Sequence, residues 1–284
     1  MQGEGEFEGD MGLVRITDAV AIGQGEPLLV VAGPCVIESR QLCMDVAGRL
    51  KEACARLRLP FVFKASFDKA NRSSIASFRG VGLEKGLQTL ADVREQFRVP
   101  VLTDVHLPEQ AGPVAEVADV LQIPAFLARQ TDLIVAAART GRPINIKKGQ
   151  FMAPQDMRGA ADKCTSLGNS NVILCERGTF FGYHDLVVDM RSIIRMGRLG
   201  FPVLFDATHS VQQPGALGTE SGGERDLAPA LAAAGVAAGA DGVFIETHPD
   251  PSNALSDAAS MLPLAQVPEL LERLRAIAAA VGKI

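Results

Sequence analysis

Short apolar runs of strand length alternate with amphipathic stretches of helical length from residue 28 to the end of the chain. The runs are LLVVAGPC (28–35), FVFKAS (61–66), VPVLTDV (99–105), DVLQIP (119–124), PINIKK (143–148), NVILCER (171–177), FPVLFDATH (201–209) and DGVFIET (241–247). Helical stretches such as QLCMDVAGRLKEACARLR, GLQTLADVREQF, QTDLIVAAARTG, APQDMRGAADKCTSLG, LVVDMRSIIRMGRLG and APALAAAGVAAG fill the intervals, and PELLERLRAIAAAVG closes the chain. Eight strands, each followed by a crossover helix with no linker or break in composition, predict an α/β fold, a single (β/α)8 TIM barrel. Ahead of it, VRITDAVAIG carries the period-two signal of a short N-terminal hairpin. Residues 1–11 read as a flexible tail, so the barrel domain spans 12–284.

Composition narrows the class. At 47% hydrophobic and 21% charged the chain has ample material for a core, and its aliphatic bias suits parallel strands buried on both faces. No apolar run reaches the roughly 18 residues of a membrane span. The acidic, glycine-rich start MQGEGEFEGD lacks the basic and apolar regions of a secretory signal, which makes the cytoplasm the expected compartment. Five cysteines, Cys35, Cys43, Cys54, Cys164 and Cys175, are odd in number and irregularly spaced, which argues against a disulfide framework and leaves room for a thiolate. A net charge of −5 opposes a nucleic-acid surface; basic residues at strand ends within an acidic chain suit a small anionic ligand in a pocket.

Loops that break the rhythm follow the second strand (67–80), the seventh (210–223) and the eighth (248–260), on the face where barrel enzymes place their chemistry. Alternation along each strand brings one polar residue to that rim from nearly every strand: Cys35, Lys64, Asp104, Gln122, Lys147, Arg177, His209 and Glu246. The second loop, within FKASFDKANRSS, adds Lys69, Asn71, Arg72 and Ser73. The cations among these match ligands carrying phosphate and carboxylate groups, while Lys148 faces away by parity. Taken singly, each also fits a solvated surface charge.

A second chemical kind is Cys35, His209, Glu246 and Asp257, a thiol, an imidazole and two carboxylates converging from the first, seventh and eighth strands and the loop after the eighth. Such a mixed set suits a divalent transition ion, Zn, Fe or Mn, better than Mg or Ca. Other roles stay open at this point. Cys35 fits a small buried residue, His209 a plain hydrogen-bonding group, Asp257 a helix cap and Glu246 a partner for a barrel lysine. His106, His184 and His248 read as structural or supporting residues.

KASFDKANRSS, LQIPAFLARQTDL, KKGQFMAP, CERGTFFGY, FDATHSVQ and IETHPDPSNALSD, in order from about residue 28 to the end, resemble the 3-deoxy-D-manno-octulosonate 8-phosphate synthases. The resemblance implies a homotetrameric (β/α)8 transferase of lipopolysaccharide Kdo biosynthesis, with no organic cofactor. It would condense phosphoenolpyruvate with D-arabinose 5-phosphate and water, releasing phosphate. By that similarity Lys64, Gln122, Lys147 and Arg177 hold phosphoenolpyruvate; Lys69, Asn71, Arg72 and Ser73 hold the sugar phosphate; and Asp104 lines the pocket near the sugar hydroxyls. Cys35 follows AGP, as in the metal-dependent class, which implies Cys35, His209, Glu246 and Asp257 as ligands and Lys69, His209 and Cys35 as the catalytic set. The nearest alternative is a 3-deoxy-arabino-heptulosonate 7-phosphate synthase using erythrose 4-phosphate. A Schiff-base aldolase on Lys147 or Lys148 and a non-catalytic sugar-phosphate binder are further alternatives.

Overall fold

The computed structural model describes residues 12–72, 74–216 and 222–283. The tail expected over residues 1–11 and the candidate Ser73 lie outside the described residues. The chain opens with an antiparallel hairpin, β1 (Leu13–Thr17) and β2 (Val20–Gly23). The barrel strands follow as β3 (Leu29–Gly33), β4 (Phe61–Lys64), β5 (Val101–Asp104), β6 (Val120–Ile123), β7 (Ile144–Lys147) and β8 (Val172–Glu176). A second hairpin, β9 (Thr179–Gly182) and β10 (Asp185–Val187), precedes the seventh barrel strand, β11 (Val203–Asp206). Then come the two-residue ribbon β12 (Gln212–Gln213) and β13 (Gly222–Gly223), the last barrel strand β14 (Gly242–His248) and a short β15 (Leu262–Pro263).

The sheet order is β11-β8-β7-β6-β5-β4-β3-β14, all parallel, and pairing of β11 with β14 closes it into a barrel. Crossovers are made by α1 (Arg40–Leu57), α2 (Leu83–Phe97), α3 (Ala111–Val117), α4 (Thr131–Arg139), α5 (Met157–Thr165), α6 (Arg191–Gly197) and α7 (Ala228–Ala237), with α8 (Val267–Ala280) last. This is the expected (β/α)8 barrel with its N-terminal hairpin. Every barrel strand is buried along its whole length, because helices cover one face and the interior fills the other.

Two apolar layers result. The larger lies between sheet and helices, and includes Val30, Phe63, Leu121, Ile146, Phe205 and Leu271. The inner one stacks Leu29, Val31, Val62, Leu102, Val120, Ile173, Cys175, Leu204 and Phe244, and the hairpin adds Val14, Ile16 and Ile22 to it. Leu29, Leu102, Val120 and Leu204 stand at or next to the start of their strands, so the hairpin plugs the end where strands begin. The other end is left as the mouth. Full burial of each such aliphatic side chain is worth about 1.5–3 kcal/mol, which makes the plug a substantial part of the interior.

Two expectations change. The stretch 186–200 does not form one helix: Leu186 and Val187 pair with Phe180 and Thr179 instead, and α6 begins only at Arg191. The β-branched and aromatic residues around Gly178 and Gly182 favour a ribbon there. The seventh barrel strand stops at Asp206 and not at His209, because Asp206 Oδ1 accepts the His209 N–H at 2.9 Å and turns the chain.

Candidate active site

The inner layer ends in polar side chains. Two residues further along the inward faces stand Lys64, Asp104, Gln122, Lys147, Arg177, Asp206 and Glu246, each buried, and all of these but Asp206 line, with the loops above them, a single cavity of about 400 Å³. Lys69, Asn71, Arg72, His209 and Asp257 line it as well. Every described candidate from the sequence therefore either lines this mouth or, as Cys35 does, touches a residue that lines it. Lys148 points the other way, into the layer beneath the β9–β10 hairpin, where it donates to Gly178 O (3.2 Å) and Thr179 Oγ1 (3.0 Å) beside Glu176.

Close strand packing sets the rim. Gly33 on β3 faces Glu246 on β14, and on its other side a Cβ would lie 1.9 Å from the Lys64 carbonyl oxygen. Only glycine lets β3 and β4 approach so closely, and this draws Lys64 Nζ to within 2.9 Å of Cys35 O and onto Glu246 Oε1. Cys35 follows immediately after the strand, with its Sγ 3.0 Å from Asp257 Oδ2 and 3.0 Å from Ser256 Oγ. Asp257 takes a left-handed backbone (φ 48°), which an aspartate tolerates and which turns its carboxylate towards the thiol and not into a helix cap.

Cys35, Glu246 and Asp257 present ligand atoms within 4.8 Å of one another. His209 joins from the β11 side, its Nε2 3.5 Å from Glu246 Oε2 and its Nδ1 2.7 Å from Asp206 Oδ2. Glu246 thus spans the site: Oε1 meets Lys64, while Oε2 is buried with no hydrogen-bond partner among the described residues. A sulfur, an imidazole and two carboxylates around an orphaned oxygen fit a divalent transition ion, and these four residues could hold one.

Charge is arranged to match. Burial opposes ionisation of Glu246, yet His209, Lys64, Lys69 and Lys147 hold its carboxyl well below the ordinary range. Burial and the carboxylates of Asp257 and Glu246 push the Cys35 thiol well above its usual value, a penalty that a bound cation would reverse. Lys69 lies 3.0 Å from Ser66 Oγ and 3.9 Å from both Asp104 Oδ2 and Glu246 Oε1. Burial works against its charge, but Cys35, Glu246 and the two aspartates raise it, so it stays an ammonium.

Two guanidinium groups are held at one edge and open at the other. Arg177 donates from Nη2 to Gln212 Oε1 at 2.7 Å, leaving Nε and Nη1 buried without partners among the described residues. Arg72 donates from Nε to Phe78 O at 3.0 Å, leaving Nη2 buried and unpartnered among the described residues. Buried guanidinium N–H groups without acceptors are expensive unless an anion completes them. Lys147 is anchored by Asp206 (2.5 Å) and lies 3.7 Å over the Phe244 ring.

The sequence did not single out Asp206, Gln212, Asn145, Ser66 or Ser256. Asn145 Nδ2 donates to Gln122 Oε1 at 2.8 Å, Gln122 Nε2 donates to Asp104 Oδ1, and Ser66 Oγ donates to Asp104 Oδ2 at 2.7 Å, a continuous chain over adjacent strand ends. Inward parity would have found Asp206 and Asn145 once the strand ends were placed correctly. His106 lies on the wall, edge-on to Phe67 at 5.7 Å. His184 bonds Pro214 O at 2.8 Å, and His248 bonds the Asp250 backbone, both in the supporting roles expected.

A closed parallel barrel whose mouth combines unsatisfied guanidinium groups with a mixed thiol, imidazole and carboxylate cluster defines an enzyme for anionic substrates. The chain belongs to the DAHP synthetase I family, whose model matches residues 11–281. It is 59% identical over 259 residues to a 2-dehydro-3-deoxyphosphooctonate aldolase of Thiobacillus denitrificans, covering 91% of this chain and 92% of that one. It is likewise 56% identical over 269 residues to the protein of that name from Granulibacter bethesdensis (94% and 95% covered), and 56% over 257 residues to that from Rhizobium meliloti (90% and 92%).

Proposed function

We propose that this chain condenses phosphoenolpyruvate with D-arabinose 5-phosphate and water to give 3-deoxy-D-manno-octulosonate 8-phosphate and phosphate, as a metal-dependent synthase. The observation that carries the reading is the presence in one cavity of two separately anchored, half-satisfied arginines together with Glu246, Asp257 and His209, with Cys35 in contact with Asp257. Two anions and one cation complete that arrangement.

Arg177, Lys147, Lys64 and Gln122 hold phosphoenolpyruvate, and Lys69, Asn71, Arg72 and Ser73 hold the sugar phosphate, Arg72 and Ser73 at its phosphate end. Fixing both reactants at one mouth removes much of the entropic barrier to carbon–carbon bond formation. Carbon 3 of phosphoenolpyruvate attacks the sugar aldehyde; positive charge that develops at carbon 2 is met by water, and phosphate leaves by carbon–oxygen cleavage. Lys69, held as an ammonium between Asp104 and Glu246, supplies a fixed positive charge for the oxygen that becomes the new hydroxyl and serves as a donor, not a base. Asp104, kept ionised mainly by Lys69 and Lys64, orients Lys69 and accepts from sugar hydroxyls. A divalent ion held by Cys35, His209, Glu246 and Asp257 would supply Lewis acidity towards the aldehyde.

The family's description also covers synthases of the heptulosonate, which take erythrose 4-phosphate. The names of the relatives at 54–59% identity favour the longer sugar. Phosphate release from phosphoenolpyruvate, measured with each sugar and followed by product mass, tests the choice: turnover with arabinose 5-phosphate is expected, and turnover with erythrose 4-phosphate alone would overturn it. The reading extends to a homotetramer in the cytoplasm. The β9–β10 hairpin leaves Phe181 71% and Tyr183 94% exposed, an apolar surface that association would cover. Among the described residues no helix is long and apolar enough to cross a membrane.

A further inference from the structure

The geometry points to Asp206 as the residue that positions both halves of the site at once: one carboxylate oxygen fixes the His209 ring so that Nε2 faces the metal cluster, and the same oxygen fixes the Lys147 ammonium. This inference rests on the reading of His209 as a metal ligand and of Lys147 as part of the phosphoenolpyruvate clamp.

Asp206 is fully buried on the inward face of β11, two residues beyond Leu204 of the interior stack. Its Oδ2 lies 2.5 Å from Lys147 Nζ and 2.7 Å from His209 Nδ1. Its Oδ1 is held in turn by the His209 N–H at 2.9 Å and the Thr208 hydroxyl at 3.3 Å. The carboxylate therefore has no rotational freedom. A carboxylate oxygen can only accept, so its contact with Nδ1 favours the tautomer that carries the imidazole proton on that nitrogen. Nε2 is then the nitrogen with a free lone pair, and it is the one that faces Glu246 Oε2 at 3.5 Å. Metal-bound histidines commonly depend on a carboxylate in this position. What is particular here is that the carboxylate is shared with a lysine on another strand. Lys147 sits 3.3 Å from His209 Nδ1 and 3.7 Å over the Phe244 ring, so the two groups cannot shift independently.

A purely electrostatic role and a positioning role give opposite signs. If Asp206 only subtracted charge from an anion pocket, its neutralisation would tighten phosphoenolpyruvate binding. If it aims Lys147, neutralisation weakens that binding. The test is Asp206→Asn, with zinc affinity measured by competition with a chromophoric chelator, and phosphoenolpyruvate affinity measured calorimetrically on metal-free protein. Zinc affinity is expected to fall roughly 10–100-fold, and phosphoenolpyruvate affinity to fall about tenfold, the effect of one misplaced charged hydrogen bond. Unchanged zinc affinity, or tighter phosphoenolpyruvate binding, would overturn the proposal. If the wild-type protein itself binds no zinc, the failure lies with the metal reading and not with Asp206.

A measurement on the wild-type chain covers the case in which the variant does not fold. With selectively 15N-labelled histidine and zinc added, His209 is expected to show a protonated Nδ1 and a zinc-shifted Nε2. Zinc on Nδ1 would overturn the assignment. In protein shown to have bound zinc, a spectrum in which neither nitrogen of His209 shifts overturns it equally.

Discussion

Lys64 and Glu246 meet across the mouth of the barrel as an ion pair that satisfies only half of the carboxylate: Oε1 takes the ammonium and Oε2 has no hydrogen-bond partner among the described residues. A buried carboxylate oxygen without a donor is costly, and a cation beside it removes the cost. Chelator treatment is therefore expected to lower turnover on the order of 100-fold or more, equivalent to the several kcal/mol that a Lewis-acid ion supplies, with recovery on adding Zn, Fe or Mn. Glu246→Gln should lower metal stoichiometry under the same conditions, because its amide puts donors where the ion needs an acceptor. Full activity in protein shown by elemental analysis to be metal-free would refute the requirement.

The two arginines differ in what anchors them, and this separates their effects. Arg72 hangs from Phe78 O on the loop after β4, whereas Arg177 is held by Gln212 at the end of β8. Arg72→Ala is expected to raise KM for arabinose 5-phosphate roughly 10–100-fold, the equivalent of about 1.5–3 kcal/mol for charge-assisted hydrogen bonds. KM for phosphoenolpyruvate should stay within about twofold. Arg177→Ala should reverse the pattern. Steady-state kinetics with each substrate varied in turn decide it, and equal losses for both substrates in either variant contradict the division of the cavity.

Much of this site could be anticipated from one rule, inward alternation on strands buried on both faces, and where the rule was misapplied the site was incomplete. Lys64, Asp104, Gln122, Lys147 and Glu246 each close an apolar run, so their placement followed from local pattern alone. Asp206 was missed because the apolar run before it continues into ATH, which hides the turn made by its own side chain. Gln212 and Ser256 act through partners on other strands or loops, and nothing in their own neighbourhood of the chain encodes those partners. The β9–β10 hairpin was hidden for a different reason. Its polar ends and aromatic centre read equally as a loop, and only the pairing of Leu186 with Phe180 distinguishes them.

Asp104 gives a pH dependence with a definite sign. Burial alone would raise its pKa, but Lys69, then Lys64 and His106, with a hydrogen bond from Ser66, depress it below the ordinary carboxylate range. A depressed folded-state value means that this carboxylate contributes stability above the unfolded-state value of about 3.9 and loses it as the pH falls below that. Thermal midpoints of the wild-type protein are expected to fall steeply below about pH 4, and Asp104→Asn should show a shallower acid limb even if it is less stable at neutral pH. An acid limb as steep in the variant as in the wild type would show that the lysines around Asp104 do not hold it ionised.

The tight seam between β3 and β4 makes the last prediction a matter of backbone geometry. A Cβ on Gly33 would sit 1.9 Å from the Lys64 carbonyl oxygen and 2.9 Å from its carbon, and β14 pins the other side of the strand at Glu246. No rotamer relieves a clash between backbone atoms, so the strands must separate. Gly33→Ala is expected to cost about 3 kcal/mol, the upper end of ordinary overpacking. It should appear as a lower urea midpoint at unchanged slope. Separation of the strands also moves Lys64 from Cys35 O, now 2.9 Å away, so turnover should fall in protein that is still folded. Gly112 is the control: it lies in α3, nothing stands within 4 Å of its would-be Cβ, and Gly112→Ala should stabilise by roughly 0.5–1 kcal/mol through helix propensity alone. If the two substitutions shift the midpoint alike, the seam is looser than these distances require, and the rim is held by the Lys64 and Glu246 pair instead.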